Sequence, residues 1–485
     1  MIAASTLSKL KSIVGQENFF DSPEYKLVYS YDGTPLLSQL PVAIVRPQSK
    51  EQISSIVQLA NNERFAVVPR GSGSGLSGGS IPTEDSIVLL TNHWNKILEI
   101  DQRNLTAWVE PGVITAQLQA EVESLGLFYP PDPGSAAIST LGGNVAENAG
   151  GLRGLKYGVT KNYILGMEVV LPNGDMVLLG GKSVKDVAGY NLKDFLIGSE
   201  GTLGIYTKIL LKLIPKPETS STMLVFFDKL TDAAETVSDI IASRISPAAL
   251  EFMDNTTIRC VENYAHLKLP TTIEALLLIE VDGHPLVTKE DVEKIAVLCK
   301  KHHALEIKIA QDVEEAAKLR SARKVAFSAL ARVRPTTILE DVTVPRSEIV
   351  SMLDKIQSIA KKHSLQFGNF GHAGDGNLHP TCLTDERDLS EIHRAEHAFD
   401  EIFTEAVKLG GTITGEHGTG LAKRQFLEKL TPSPAIKMMR QIKKVLDPNA
   451  VLNPGKIFTL KPHCEGPMPK NPEQIKKYLD AGAFT

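Results

Sequence analysis

Two short stretches of this 485-residue sequence carry a dense set of side chains able to do chemistry: Gly371-His372-Ala373-Gly374-Asp375-Gly376-Asn377-Leu378-His379 and Thr414-Gly415-Glu416-His417-Gly418-Thr419-Gly420. Asp375-Gly376 is a strong two-residue hairpin signal, and folding the chain there makes His372 and His379 face each other across an antiparallel pair. Opposed Cβ atoms lie roughly 4.5–5.5 Å apart, so two imidazoles can converge on one divalent ion at about 2.0–2.1 Å from each nitrogen. Glu416, set between glycines that permit tight turns, is the expected third ligand. Zinc suits two imidazoles and a carboxylate, with manganese and iron as alternatives. The competing reading is a pair of turn histidines that only hydrogen-bond carbonyls.

Holding such groups takes a large scaffold, and the composition supplies one. With 42% hydrophobic and 22% charged residues, the chain is an ordinary globular protein with room for two or three domains. Its apolar runs are too short to cross a bilayer. Near the start, Leu7, Leu10, Ile13 and Val14 recur at helical spacing with lysines between them, which is not the pattern of a signal peptide. The four cysteines, Cys260, Cys299, Cys382 and Cys464, have no Cys-x-x-Cys spacing, so a cytoplasmic protein without a disulfide framework is expected. A net charge of −5 without a long basic block argues against nucleic acid as a partner.

Glycines concentrate in residues 71–79, 134–158 and 198–204, between short β-branched runs such as 86–90 and 167–171. Ser49 followed by Gln52 reads as a capping box, with Ile53, Ile56, Val57 and Ala60 behind it at helical spacing. Pro215-Lys216-Pro217 breaks this pattern. Beyond it, helix-like stretches (233–244, 289–302) alternate with strand-like ones (223–227, 275–281), as in α+β packing. The expected organisation is 1–217, 218–414 and a C-terminal segment 415–485.

Gly73-Ser74-Gly75-Leu76-Ser77-Gly78 matches the dinucleotide fingerprint letter for letter, but no helix follows; residues 79–86 run straight into the next strand. What survives is a loop, Arg70-Gly71-Ser72-Gly73-Ser74-Gly75, whose amides can turn together toward an anion such as a pyrophosphate. A second cluster begins with the stiff turn Tyr129-Pro130-Pro131-Asp132-Pro133-Gly134-Ser135. It continues through Thr140-Leu141-Gly142-Gly143-Asn144-Val145-Ala146-Glu147-Asn148-Ala149-Gly150-Gly151, where a helix start would leave free N–H groups.

These motifs, with Gly198-Ser199-Glu200-Gly201-Thr202-Leu203-Gly204-Ile205 and Leu452-Asn453-Pro454-Gly455-Lys456, resemble FAD-dependent oxidoreductases of the vanillyl-alcohol oxidase type. The likeness is to the branch of glycolate oxidase GlcD subunits, D-lactate dehydrogenases and D-2-hydroxyglutarate dehydrogenases, and it spans nearly the whole chain. It implies an α+β fold: a two-part FAD-binding domain with an α+β cap. Pyrophosphate would be held by Arg70, Gly71, Ser72, Gly73, Ser74 and Gly75 and by Thr140, Gly142, Gly143, Asn144 and Asn148. Pro131, Asp132, Ser135 and Gly151 belong to the same cofactor site, while Tyr157, Gly158, Glu200, Gly201, Gly204 and Ile205 would line the flavin. Asn453 would return to the flavin region, its plainer reading being an Asn-Pro turn. The first glycine loop contains no histidine, which favours noncovalent FAD.

The resemblance implies oxidation of a small D-2-hydroxy acid to the 2-oxo acid, by metal-assisted deprotonation and hydride transfer to flavin N5. His417 is the expected base, with a supporting role beside the metal as its alternative, and Arg323 the expected carboxylate clamp, with Arg320 and Lys324 as rivals. Hydroxyglutarate members carry a threonine and a lysine where this chain has Phe327 and Leu339, and an asparagine where Thr381 stands. Loss of those polar handles favours D-lactate or glycolate over a dicarboxylate, with D-2-hydroxyglutarate as the alternative. No cluster-binding cysteine motif exists here, so reoxidation calls for an iron–sulfur subunit, an electron-transfer flavoprotein or a quinone. An electron-relay subunit of a larger complex and a metallohydrolase are the other classes of reading. His393-Arg394-Ala395-Glu396-His397 spells a zinc-peptidase pattern, but the apolar stripe of Leu389, Ile392, Phe399, Phe403 and Val407 leaves both histidines toward the polar face of their helix.

Overall fold

The computed structural model of the chain describes residues 2–459. Helix α1 (Ala4–Val14) buries Leu10 and Val14. A four-stranded sheet follows, with β1 (Phe19–Phe20), β2 (Ala43–Val45), β3 (Ala66–Arg70) and β4 (Ser86–Leu90) in the order β1-β2-β4-β3. Helix α2 (Lys50–Glu63) starts where the capping pattern places it: Ser49 Oγ accepts from the Gln52 N–H, and Ile53, Ile56, Val57 and Ala60 are buried. The Gln52 side chain reaches back one residue further than a capping box requires, to the N–H of Gln48. β3 and β4 pair in parallel although residues 71–85 between them contain no helix. The glycine-rich stretch is therefore itself the crossover, and its amides are not consumed by a following helix.

The second sheet is antiparallel, with β5 (Ile97–Asp101), β6 (Thr106–Val109), β7 (Ile164–Val170), β8 (Met176–Gly180) and β9 (Ile205–Lys212) in the order β5-β6-β9-β7-β8. Helix α3 (Leu141–Glu147) lies between β6 and β7 in the chain. Val145 and Leu141 pack with Met167, Val169 and Ile209 of this sheet in one core.

Two residues past Pro217 an eight-stranded antiparallel sheet begins. It contains β10 (Thr219–Phe227), β11 (Ala249–Asp254), β12 (Ala275–Gly283), β13 (Glu306–Ile309), β14 (Thr336–Leu339), β15 (Val342–Thr343), β16 (Gln366–His372) and β17 (Asn377–Thr384). The order is β13-β10-β12-β11-β16-β17-β14, with β15 also on β17. Both faces are buried, so its strands read as continuous apolar runs, yet alternate residues serve different cores. Met223, Val225, Phe227, Leu250, Phe252 and Leu378 join the core beneath α4 (Leu230–Ala242), α6 (Pro285–Lys301), α8 (Ile349–Lys362) and α9 (Leu389–Lys408). Leu224, Phe226, Met253, Phe370 and Leu383 face the other way, toward α5 (Asn255–Ala265) and α7 (Val313–Lys324).

On α9 the buried face is Ala395, Ala398, Phe399, Ile402, Phe403 and Ala406, and His393 and His397 project into solvent. Leu389, expected in the apolar stripe, is instead 74% exposed, because it occupies the first position of the helix. After α9 the chain returns to the first sheet. Val67 N–H donates to the Val451 carbonyl at 2.7 Å and Asn453 N–H to that of Val67 at 2.9 Å, so residues 451–453 extend the free edge of β3. Among the described residues no helix is long and apolar enough to cross a membrane, and Cys260, Cys299 and Cys382 are free thiols. Cys464 and the remainder of the expected C-terminal segment, 460–485, lie outside the described residues.

Candidate active site

The hairpin joining β16 to β17 differs from the sequence expectation in a specific way. His372 pairs with Asn377, and His379 with Phe370, so residues 373–376 form a four-residue loop and the two histidines are diagonal rather than opposed. The slip from the expected register is two residues. Side chains alternate with period two, so an even slip keeps both imidazoles on the same face of the sheet. Their ring centroids lie 5.1 Å apart, nearly perpendicular.

Parity also brings in a residue the sequence reading did not single out. Glu251 lies on the same face of β11, between Leu250 and Phe252, and its Oε1 meets His372 Nδ1 at 2.8 Å. Its Oε2 forms an ion pair with Arg323 on α7, 2.8 Å from Nε, and the Arg323 guanidinium lies 4.6 Å over the Phe370 ring. Glu251 is 1% exposed, so this carboxylate is a buried anchor that fixes both a histidine and an arginine. Its signal in the sequence is a charge in the middle of an apolar strand.

Glu416, the expected third ligand, arrives on the turn after residue 414. Glu416 Oε1 lies 3.1 Å from His372 Nε2 and 3.4 Å from His379 Nε2. Bonds of 2.0–2.1 Å in a tetrahedral site put neighbouring ligand atoms about 3.3–3.4 Å apart, so these spacings suit a cation at their centre. Candidate ligand atoms of all three residues fall within 4.8 Å of one another. Burial opposes charge on His372, but Glu251 and Glu416 win and hold it well above its ordinary pKa. His379 goes the other way, pushed to about 4 by burial, and its Nδ1 is buried with no partner. Burial works against ionising Glu416 too, yet the imidazoles hold its carboxyl well below the usual range. His379 and Glu416 are thus in the protonation states a metal requires, whereas His372 would have to give up its proton to bind one.

The turn is fixed by a second unanticipated carboxylate, Asp341, fully buried just before β15. It accepts from the N–H groups of Gly415 and Glu416 and from Thr414 Oγ1, and pairs with the fully buried Lys423. Asp341 Oδ1 also lies 3.4 Å from His417 Nδ1, and the His417 ring stacks on His379 with centroids 5.2 Å apart and planes at 9°. The Nε2 of His417, 3.9 Å from Glu416 Oε1, is left toward the ligand cluster.

His372, His379, Glu416, His417 and Arg323 share one cavity of about 960 Å³ with the glycine-rich segments. Of the sequence-derived cofactor residues, Arg70, Gly71, Ser72, Gly73, Ser74, Gly75, Ser135, Thr140, Gly142, Gly143, Asn144, Glu200, Gly201, Gly204 and Ile205 line it. Among the described residues, no backbone N–H from 71 to 77 donates to a protein acceptor. Gly73 has φ +73, and a Cβ there would strike the Arg70 guanidinium. At the start of α3, by contrast, the expected free amides are already used: Leu141 and Gly142 donate to the carbonyls of Val113 and Pro111, and Gly143 to Thr140 Oγ1. The cavity thus pairs a long wall of unspent amides with a cluster of charged side chains, which fits an elongated cofactor with an anionic middle.

The remaining sequence-derived residues stand behind the cavity wall. Asn148 ends α3 in a left-handed conformation, Gly151 packs against the Asp132 backbone, and the Pro131 carbonyl accepts from Gln119. Tyr157 donates its hydroxyl to Asp282 of β12, and Gly158 packs on Asn162. Asn453 Nδ2 donates to the carbonyls of Gly79 and Glu200, tying the C-terminal segment to the glycine loop and the cavity turn. Arg320 is spent on Glu280 and Thr222, while Lys324 lines the cavity.

Comparison with known proteins shows the family of the chain. Residues 41–180 match the FAD binding domain, and residues 216–457 the C-terminal domain of FAD linked oxidases. The chain is 54% identical over 458 residues to the glycolate oxidase subunit GlcD of Bacillus subtilis (strain 168), covering 94% of this chain and 97% of that protein. It is 35% identical to a D-lactate dehydrogenase of Anaerostipes hadrus, covering 86% and 89%. A solved structure of p-cresol methylhydroxylase with substrate bound superposes with a TM-score of 0.80 at 20% identity, covering 94% of this chain and 97% of that one, a likeness of fold. With its two-domain α+β fold of the vanillyl-alcohol oxidase type, the chain belongs to the FAD-linked oxidases and is an FAD-dependent oxidoreductase.

Proposed function

We propose that this chain oxidises a small D-2-hydroxy acid, D-lactate or glycolate, to the corresponding 2-oxo acid. The observation that carries this reading is the convergence of His372, His379, Glu416, His417 and Arg323 on the cavity that also presents the free amides of residues 71–77. The names of the two relatives, a glycolate oxidase subunit and a D-lactate dehydrogenase, support the same substrate class.

When bound, FAD supplies the hydride acceptor. His372, His379 and Glu416 would hold a divalent cation, zinc by the ligand set and spacing, which would polarise the hydroxyl and carboxylate oxygens of the substrate. His417 takes the hydroxyl proton at Nε2, since its Nδ1 faces the Asp341 carboxylate at 3.4 Å, which orients the ring. Arg323 offers its terminal nitrogens to the substrate carboxylate, because its Nε is held by Glu251 and its plane lies against Phe370. Phe327 and Leu339 form the neighbouring wall and give a second carboxylate nothing to bind. Electrons then leave to an iron–sulfur subunit, an electron-transfer flavoprotein or a quinone.

The test is anaerobic mixing of the purified holoenzyme with D-lactate, L-lactate, glycolate and D-2-hydroxyglutarate, following loss of flavin absorbance. D-Lactate or glycolate should bleach the flavin at least about tenfold faster than D-2-hydroxyglutarate. Fastest bleaching by L-lactate or by the dicarboxylate would overturn the assignment.

A further inference from the structure

Glu147, the last residue of α3, has no part in the chemistry above, yet it lines the same cavity. Its carboxyl is wedged between the glycine loop and the turn that carries Glu416 and His417. A Cβ on Gly79 would lie 2.7 Å from Glu147 Oε1, and one on Gly418 would lie 2.1 Å from Oε2. Only glycines at these two positions leave room for it.

The surroundings of this carboxyl are unusual. Oε2 is buried without a hydrogen-bond partner. Glu200 crowds the same side of Gly418, but its two oxygens accept the N–H groups of Thr419 and Gly420 at 2.7 Å each, and the lysines that act on it are Lys456 and Lys423. Glu147 receives no such help; burial, then Glu200 and then Asp32, push its pKa well above the usual carboxylate range. Burial raises Glu200 as well, but its two amide donors oppose that rise, so of the two adjacent carboxyls the cradled one is the readier to ionise and the bare one the readier to keep its proton.

A neutral carboxylic acid has an O–H to donate, and Glu147 is one of the residues that line the cavity. The ring end of the cofactor must lie beside the substrate residues, and Glu147 adjoins the turn bearing two of them. We propose that Glu147 is a neutral hydrogen-bond donor to the flavin ring, and so a residue that sets both the affinity and the reduction potential of the cofactor. This rests on flavin occupying the cavity.

The test compares E147Q and E147A with the wild-type holoenzyme, measuring FAD dissociation by flavin fluorescence and the two-electron midpoint potential by dye-coupled titration. Gln retains a neutral N–H donor, so E147Q should stay near wild type in both. Ala removes the donor, so E147A should bind FAD about tenfold more weakly. It should also favour oxidised over reduced flavin about tenfold, which lowers the potential by about 30 mV. A potential raised in E147Q would reveal an ionised carboxylate and overturn the proposal, as would unchanged values in both variants. Wild-type protein without a flavin spectrum would instead overturn the cofactor reading beneath it.

Discussion

The two ends of the cavity are built on opposite principles. At the glycine end, residues 71–77 offer main-chain N–H groups and almost no side chain, and specificity comes from the path of the backbone. At the sheet end, β11, β16 and β17 hold side chains in place through buried carboxylates: Glu251 fixes His372 and Arg323, and Asp341 fixes the turn bearing Glu416 and His417. A loop that binds through amides tolerates changes of side-chain chemistry but not added bulk. A charged cluster tolerates modest bulk but not a missing partner, because a buried ion left alone is costly.

Each end can therefore be broken without the other. The largest effect is expected from H372A, which removes a proposed ligand from the sheet end: metal by atomic absorption and turnover should both be lost, while FAD remains bound with its normal spectrum. Retained metal with normal turnover would refute the ligand set. D341N comes next. It leaves the buried Lys423 with Glu340 as its one remaining carboxylate partner and should destabilise the protein by about 3 kcal/mol in denaturant titration. E251Q spares all three ligands but weakens the grip on His372 Nδ1, so metal affinity in a chelator competition should fall by about 10- to 100-fold. FAD affinity should hold in that variant. A matching loss of FAD would show that the two ends are one coupled site.

The sharper half of the test is G73A. At φ +73 an alanine is strained by about 1–2 kcal/mol, and its methyl would strike Arg70. FAD should bind about tenfold more weakly while metal content stays at the wild-type level. Metal lost together with FAD would contradict the separation.

The same contrast explains what was legible in the sequence. Backbone binding writes itself as glycine, so the loop at 71–79 was visible, and the missing helix after it was readable from the spacing alone. The start of α3 misled, because an amide's availability depends on which distant carbonyl claims it, here those of Pro111 and Val113. At the sheet end His372, His379 and Glu416 were legible because glycines frame them. The hairpin register was not: the Asp375-Gly376 signal points to a two-residue turn, but a Gly376 Cβ would lie 2.1 Å from the Val344 carbonyl, so packing of the loop on the segment just after β15 competes with local turn preference. Glu251, on β11, and Asp341, just before β15, lie about 120 and 75 residues before His372 and Glu416. Nothing in their neighbours announces them beyond a charge in an apolar setting.

The smallest expected effect concerns the substrate wall, where the two ends meet. Phe327 and Leu339 replace the polar residues that the dicarboxylate branch carries, and both line the cavity near Arg323. F327T adds a hydroxyl without adding charge or touching a metal ligand. One new hydrogen bond in a partly solvated wall is worth about 1 kcal/mol. The ratio of kcat/KM for D-2-hydroxyglutarate over D-lactate should therefore rise by about fivefold, with metal and FAD contents unchanged. A ratio that does not move would remove Phe327 from the specificity wall, leaving Leu339, fixed opposite Thr381 in the β14–β17 pairing, as the position that decides between one carboxylate and two.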